Sequence, residues 1–190
     1  VYLVTGTNRG VGLAFVRLLT TRPDVIVYAT ARKLDGAAEL RALADGSEGK
    51  VRLLELSYGD EESNAAAAAR IKKEVGRLDV VIANAGKASC LGDVPCDGAY
   101  AYFAQASSVI LVNTIGPFVL FQAAYPLLHA THGKFAVISS WLGAERGANS
   151  PFGFTAYATS KAAVNFLVRR MHTECPDISM CYPMPAEADC

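Results

Sequence analysis

The sequence predicts an α/β fold: a doubly wound, mostly parallel sheet sandwiched between helices in three αβα layers. Three observations predict it. Short β-branched runs alternate with amphipathic helical windows along the chain, a glycine-rich turn joins the first strand to the first helix, and no repeat or linker divides the sequence. With 190 residues, 52% of them hydrophobic, the chain has enough apolar material for one sizeable core and is expected to form one domain over residues 1–190.

Val1 to Val4 is a short buried strand that ends in the glycine turn, and apolar residues then recur at helical spacing from Val11 to Leu19. Arg22-Pro23 closes that helix ahead of a second strand at Val25 to Ala29. Asp35 to Ala44 predicts a second helix, Val51 to Leu56 a third strand, Glu61 to Val75 an alanine-rich helix and Asp79 to Ala83 a fourth strand. A long helix from about Tyr100 to His129 follows, then strand five at Phe135 to Ser139, a helix from Tyr157 to Cys175 and a short strand at Ile178 to Cys181.

Lysine plus arginine equals aspartate plus glutamate at 18 each, so no long-range field favours nucleic acid or an acidic membrane. No uninterrupted apolar run reaches the roughly 18 residues that span a bilayer, and no basic-then-apolar leader precedes Val1. Five cysteines (Cys90, Cys96, Cys175, Cys181, Cys190) show no compact disulfide spacing. The expectation is a cytoplasmic protein with free thiols and neither a nucleic-acid nor a membrane partner.

Thr5-Gly6-Thr7-Asn8-Arg9-Gly10-Val11-Gly12 lies between a strand and a helix, where glycines permit a tight turn and let a pyrophosphate approach backbone amides at the positive helix end. The second strand runs into Tyr28-Ala29-Thr30-Ala31-Arg32, with no carboxylate placed to bind a ribose 2′-hydroxyl. Arg32, Lys33 and Arg9 instead suit a 2′-phosphate through charge-assisted hydrogen bonds, which favours NADP(H) over NAD(H); the same three also read as solvated surface charges. In the long helix, Pro117 has no N–H for the carbonyl of Asn113 four residues earlier, which predicts a kink there. Tyr157 and Lys161 share a helix face, and an ammonium beside a phenol of pKa about 10 is expected to lower that pKa toward neutral pH.

The glycine spacing departs from G-x-G-x-x-G. Together with Asn84-Ala85-Gly86, Asn113, Ser139-Ser140 and Tyr157-Ala158-Thr159-Ser160-Lys161, in that order, it resembles the single-domain branch of the short-chain dehydrogenase/reductase family, with its Rossmann-type sheet. The texture is most like norsolorinic-acid-type ketoreductases and sniffer-like carbonyl reductases. The resemblance implies hydride transfer between a nicotinamide and a carbonyl or secondary alcohol, with Asn113, Ser140, Tyr157 and Lys161 catalytic, Ser140 ahead of Ser139. It implies cofactor contacts at Thr5, Gly6, Asn8, Arg9, Gly10, Val11, Gly12, Arg32, Ser57, Asn84, Ala85, Gly86, Tyr157, Lys161 and Pro183. Ser57 and Ala83 depart from the residues usual there, an aspartate and an asparagine.

Trp141, Phe152 and Phe154 would line an apolar or aromatic pocket and Arg146 would meet a polar substituent, so an aromatic polyketide ketone is the expected substrate class; simple packing of that loop accounts for the same residues. A homodimer through the helices bearing Asn113 and Tyr157 is implied. The resemblance runs to about Ile178, after which the chain looks truncated relative to the family. Pro183 matches a family proline, but Met184 replaces a glycine, and the sheet edge beyond strand six would lie uncovered. That leaves two other functions open: a scaffold that binds the cofactor without efficient turnover, and a non-redox cyclase or dehydratase.

Overall fold

The computed structural model describes residues 1–88, 106–145, 147 and 154–184. Cys90, Cys96, Cys190, Arg146, Phe152 and the expected helix start at Tyr100 lie outside the described residues. The elements are β1 (Tyr2–Val4), α1 (Gly10–Thr20), β2 (Val27–Ala31), α2 (Ala38–Asp45), β3 (Val51–Glu55), α3 (Glu61–Val75), β4 (Val80–Ala83), α4 (Ala106–His129), β5 (Lys134–Val137), α5 (Thr155–Glu174) and β6 (Ser179–Cys181). The strands form one sheet in the order β3-β2-β1-β4-β5-β6, every neighbouring pair parallel. The expected fold class holds.

The strand order reverses between β1 and β4, so the loops leaving their carboxyl ends open side by side, which is where open α/β sheets bind ligands. Two apolar cores flank the sheet. Leu13, Val16 and Leu19 of α1 pack with Leu40 of α2 on one face, while Ile71, Leu120, Phe121, Leu128, Val164 and Val168 from α3, α4 and α5 pack on the other. Burial on both sides explains why β2 has no polar alternation: all five of its residues are buried.

Local chemistry sets several boundaries. The Asp60 side chain accepts from Ser63 N–H at 2.7 Å to cap α3, Glu61 and Glu62 fill its first turn, Lys72 and Lys73 its last, and Gly76 closes it at φ 70°. The alanine run is therefore helix, as its propensity indicates. β2 starts at Val27 rather than Val25, because Pro23 and a left-handed Asp24 (φ 52°) are still turning the chain; the ladder with β3 begins at Val27↔Val51. β5 keeps regular pairing only to Val137, after which Ile138 N–H bonds the Ala83 carbonyl at 3.0 Å and Ser139 N–H the Pro183 carbonyl at 2.9 Å.

α4 is long and apolar enough by length and composition to cross a membrane, in contrast to the expectation from uninterrupted runs. Half of that stretch is buried in the fold, and Asn113 and Thr114 in its middle are buried hydrogen-bonding groups. That burial and those internal hydrogen bonds are what the core helix of an α/β domain shows. The expected break at Pro117 is a π-helical turn over Leu111–Ile115, closed by Gly116 N–H on the Leu111 carbonyl. The extra residue in that turn accommodates the missing proline donor while the helix continues to His129. β6 is the last strand, and among the described residues nothing pairs with its outer edge.

A polar cluster ties β2 and β3 to α3. Glu74 accepts from Arg70 at 2.7 Å, from the Tyr28 hydroxyl at 2.8 Å and from Arg52 at 2.9 Å. These donors, Arg70 foremost, hold its carboxyl at about 2, against 4.5 for an ordinary glutamate. A lowered folded-state pKa adds stability above pH 4.5 that is lost as pH falls toward 2. Urea midpoints measured across that window should therefore fall less steeply with acid for Glu74→Gln than for the parent.

Candidate active site

The glycine turn is locked to the loop after β4 by Thr5. Its buried Oγ1 accepts the N–H groups of Asn84 and Ala85, each at 3.0 Å, and its own N–H bonds the Ile82 carbonyl at 3.0 Å. Asn84 Nδ2 returns the contact, donating to the carbonyls of Thr5 (2.9 Å) and Gly6 (3.2 Å). Gly6 has φ 69° and lies so close that a Cβ would stand 2.8 Å from Ala85 Cα. At Gly12 a Cβ would meet the Gly6 carbonyl oxygen at 2.2 Å, so α1 packs end-on under the turn only because that position lacks a side chain.

Gly10 opens α1, and Asn8, Arg9 and Val11 are exposed around its start. Arg32 follows β2 directly and is exposed, as are Lys33 and Ser57. Neither Arg9 nor Arg32 makes an ion pair among the described residues. A carboxylate does approach this corner, from the neighbouring strand: Glu55 Oε1 accepts Leu34 N–H at 3.0 Å and so anchors the loop after β2.

Asn113 is buried in the π-helical turn and its side-chain amide is fully engaged. Oδ1 accepts Lys87 N–H at 2.7 Å, and Nδ2 donates to the Lys87 carbonyl (2.9 Å) and to Ser160 Oγ (3.0 Å). Ser160 Oγ in turn donates to the Tyr157 carbonyl at 2.6 Å, and Thr114 Oγ1 donates to the Ser160 carbonyl at 3.0 Å. Asn113 thus joins the loop after β4, α4 and α5. Ser160 and Lys87 are the members of this seam that carry no motif of their own; Ser160 lies inside the Tyr-x-x-x-Lys run, and Lys87 meets Asn113 through its backbone while its ammonium donates to Ser108 Oγ of α4 at 2.7 Å.

Ser139 and Ser140 leave β5 in different directions. Ser139 is buried, and its Oγ donates to Asn165 Oδ1 of α5 at 2.5 Å. Ser140 is half-exposed; its Oγ accepts Leu142 N–H at 3.3 Å, capping the short 3-10 turn at Trp141–Gly143, and its hydroxyl also meets that of Tyr157. Phe154 packs edge-on to the Tyr157 ring, centroids 6.3 Å apart. Lys161, 5% exposed, donates to the Ile138 carbonyl at 2.6 Å with Nζ 5.5 Å from the centre of the Tyr157 ring. Pro183 is exposed beside Ser139, to which it offers its carbonyl.

The expected acidification of Tyr157 by Lys161 is not what this geometry produces. Burial raises the Tyr157 phenol above its ordinary value, and the Ser140 hydrogen bond offsets this only in part. Lys161 points its ammonium at a backbone carbonyl beneath the ring, and burial lowers its pKa from 10.5 to about 8.

The chain matches the short chain dehydrogenase family over residues 1–181. It belongs to that family. An uncharacterized oxidoreductase of Schizosaccharomyces pombe is 33% identical over 180 residues, which cover 93% of this chain and 68% of the relative. The norsolorinic acid ketoreductase of Aspergillus parasiticus is 33% identical over 181 residues, covering 92% and 65%. Among solved structures, the NADPH-bound carbonyl reductase from chicken fatty liver superposes with a TM-score of 0.83 at 29% identity, covering 94% of this chain and 75% of that one. The Sniffer carbonyl reductase of D. melanogaster has a TM-score of 0.83 at 26% identity, covering 95% and 77%. This short-chain dehydrogenase therefore spans about two thirds to three quarters of the length of these relatives.

A nicotinamide dinucleotide fits the residues present. At the amino end of α1 the Cβ position of Gly10 has nothing within 4 Å, which admits a pyrophosphate against backbone amides. A Cβ on Gly86 would stand 3.4 Å from Asn113 Oδ1 and 3.9 Å from Lys161 Nζ, within ordinary contact.

The buried lysine has a measurable signature. Between pH 8 and about 10 the unfolded chain binds more protons at Lys161 than the folded one, so its contribution to stability rises with pH. Urea denaturation of the parent and of Lys161→Met should show that rise in the parent and a flatter profile in the variant.

Proposed function

We propose that this short-chain dehydrogenase is an NADP(H)-dependent ketoreductase that converts a ketone to a secondary alcohol. The observation that carries the reading is the convergence of the Ser140 hydroxyl, the Tyr157 phenol and the Lys161 ammonium at the carboxyl end of β5, one strand away from the β1–β4 cradle. When bound, the reduced nicotinamide supplies a hydride to the carbonyl carbon. The chain's own residues handle the oxygen. Ser140 hydrogen-bonds it as negative charge develops, and Tyr157, a phenol whose pKa burial raises above its ordinary value, delivers the proton. Lys161, with a pKa near 8, exchanges protons close to neutral pH and lies beneath the tyrosine ring, while Asn113 holds the loop and helix that frame the pair.

The exposed guanidiniums of Arg9 and Arg32, which make no ion pair among the described residues, support NADP(H) over NAD(H), since a 2′-phosphate gains charge-assisted hydrogen bonds from both. Phe154 beside Tyr157, half-buried Trp141 next to Ser140 and the likeness to norsolorinic acid ketoreductases support an aromatic polyketide ketone as substrate. Leu111, Ile115 and Phe118 on α4 and Phe166 on α5 are exposed apolar side chains that support a homodimer through these two helices. The free thiols of Cys175 and Cys181 fit a reducing cytoplasm.

NADPH titration of the purified protein, followed by aromatic and polyketide-like ketones with reduced-cofactor absorbance monitored, tests the reading. Oxidation of NADPH with alcohol formation is expected. Binding without turnover overturns it in favour of a scaffold, and substrate loss without NADPH oxidation in favour of a non-redox step. Tyr157→Phe should lower kcat by at least about a hundredfold while NADPH still binds. Replacing both Arg9 and Arg32 by alanine should raise KM for NADPH by roughly tenfold or more and leave that for NADH little changed.

A further inference from the structure

Tyr58 follows β3 and lies outside the group of Asn113, Ser140, Tyr157 and Lys161. Its ring lies flush against α4: a Cβ built on Gly116 would stand 2.6, 2.8 and 3.1 Å from three atoms of that ring. Gly116 is the residue whose N–H closes the π-helical turn onto the Leu111 carbonyl. The next residue, Gly59, is left-handed at φ 89°, and a Cβ there would touch Gly116 Cα and the Leu111 carbonyl oxygen, each at 3.8 Å. At its other end the Tyr58 hydroxyl is buried, faces Thr5, and has no hydrogen-bond partner of proper geometry among the described residues. Thr5 Oγ1 already accepts the amides of Asn84 and Ala85. One side chain therefore spans the interval between the residue that locks the cradle and the turn that carries Asn113.

A π-helical turn is an extra residue that a helix tends to expel, and it persists where the surroundings hold it. Relaxation of Leu111–Ile115 into regular α-helix would rotate Asn113 by about 100° relative to the rest of α4. That rotation would break its two bonds to Lys87 and its bond to Ser160. The Tyr58 ring stands where the shift would have to occur, in a gap that only a glycine at 116 leaves open. We infer that Tyr58 is a positioning residue of the active site, whose ring seated on Gly116 holds the π-helical turn and thereby the orientation of Asn113. The inference rests on the ketoreductase reading for its effect on turnover, but its structural content stands apart from that reading.

The test is a double-mutant cycle between Tyr58→Val and Gly116→Ala, with Tyr58→Phe as the variant that keeps the ring. It is read by kcat and KM for ketone reduction and by amide hydrogen exchange over residues 111–118. Tyr58→Phe is expected to stay within about threefold of the parent in kcat. Tyr58→Val should lose roughly tenfold or more in kcat with a smaller change in KM for NADPH, and should speed exchange in the turn. Gly116→Ala should cost a similar factor in the parent, where its methyl meets the ring, and much less in the Tyr58→Val background. Equal kcat and exchange for the Phe and Val variants, or the same Gly116→Ala effect in both backgrounds, would overturn the inference. If the folded parent turns over no ketone, the ketoreductase reading fails by itself, and the exchange cycle still decides whether Tyr58 holds the turn. Should Tyr58→Val fail to fold, exchange over 111–118 in Tyr58→Phe and Gly116→Ala decides: fast exchange in Gly116→Ala alone supports the inference, and equal protection overturns it.

Discussion

Thr5 follows β1, at the point where the strand order of the sheet reverses, and its hydroxyl is what makes that place rigid. Two backbone amides from the loop after β4 converge on it, and Asn84 answers with its side chain on the carbonyls of Thr5 and Gly6. Buried amides and carbonyls of this kind are costly unless paired, so the two loops hold a single relative position. Gly6 and Gly12 are then forced by contact: each faces backbone atoms of a neighbouring segment at a distance no Cβ tolerates. The cradle is a consequence of that junction rather than of glycine flexibility alone.

A second polar seam, between α4 and α5, inherits its position from the first. Asn113 grips Lys87, three residues beyond Asn84, and passes the connection through Ser160 to the backbone of Tyr157. Lys161 then reaches the carbonyl of Ile138 at the end of β5, and Gly143 lets the turn after Ser140 press against the α5 backbone at Lys161. Each link is a buried or part-buried group with a named partner, so the seam specifies one register between helices whose apolar faces would tolerate several. Positional precision at the candidate site comes from polar groups packed among apolar ones.

Much of this was legible beforehand. Strand and helix alternation, the glycine turn and the Tyr-x-x-x-Lys run depend on spacing within a few residues, and such patterns survive in a linear reading. Ser140 was set ahead of Ser139 by the family resemblance alone, and the structure sends Ser139 to Asn165 and Ser140 to Tyr157. The first residue of β2 was misplaced because a left-handed Asp24 extends the preceding turn, which β-branched composition does not reveal. Tyr58 and Lys87 carried no motif; they matter because of what lies across from them.

The sequence by itself determined the fold class, the family, and which side chains with usable chemistry would gather at the carboxyl edge of the sheet, because local propensity, turn chemistry and motif spacing are properties of contiguous residues. Only the tertiary structure decided the protonation of the site. Proximity along a helix suggested that Lys161 would acidify Tyr157. Instead burial raises the phenol and lowers the ammonium, since desolvation depends on everything packed around a group, including segments dozens of residues away. The same reason applies to the π-helical turn: Pro117 announces that a carbonyl has lost its donor, but how the helix absorbs the loss is set by Gly116, Tyr58 and the neighbouring strand loop.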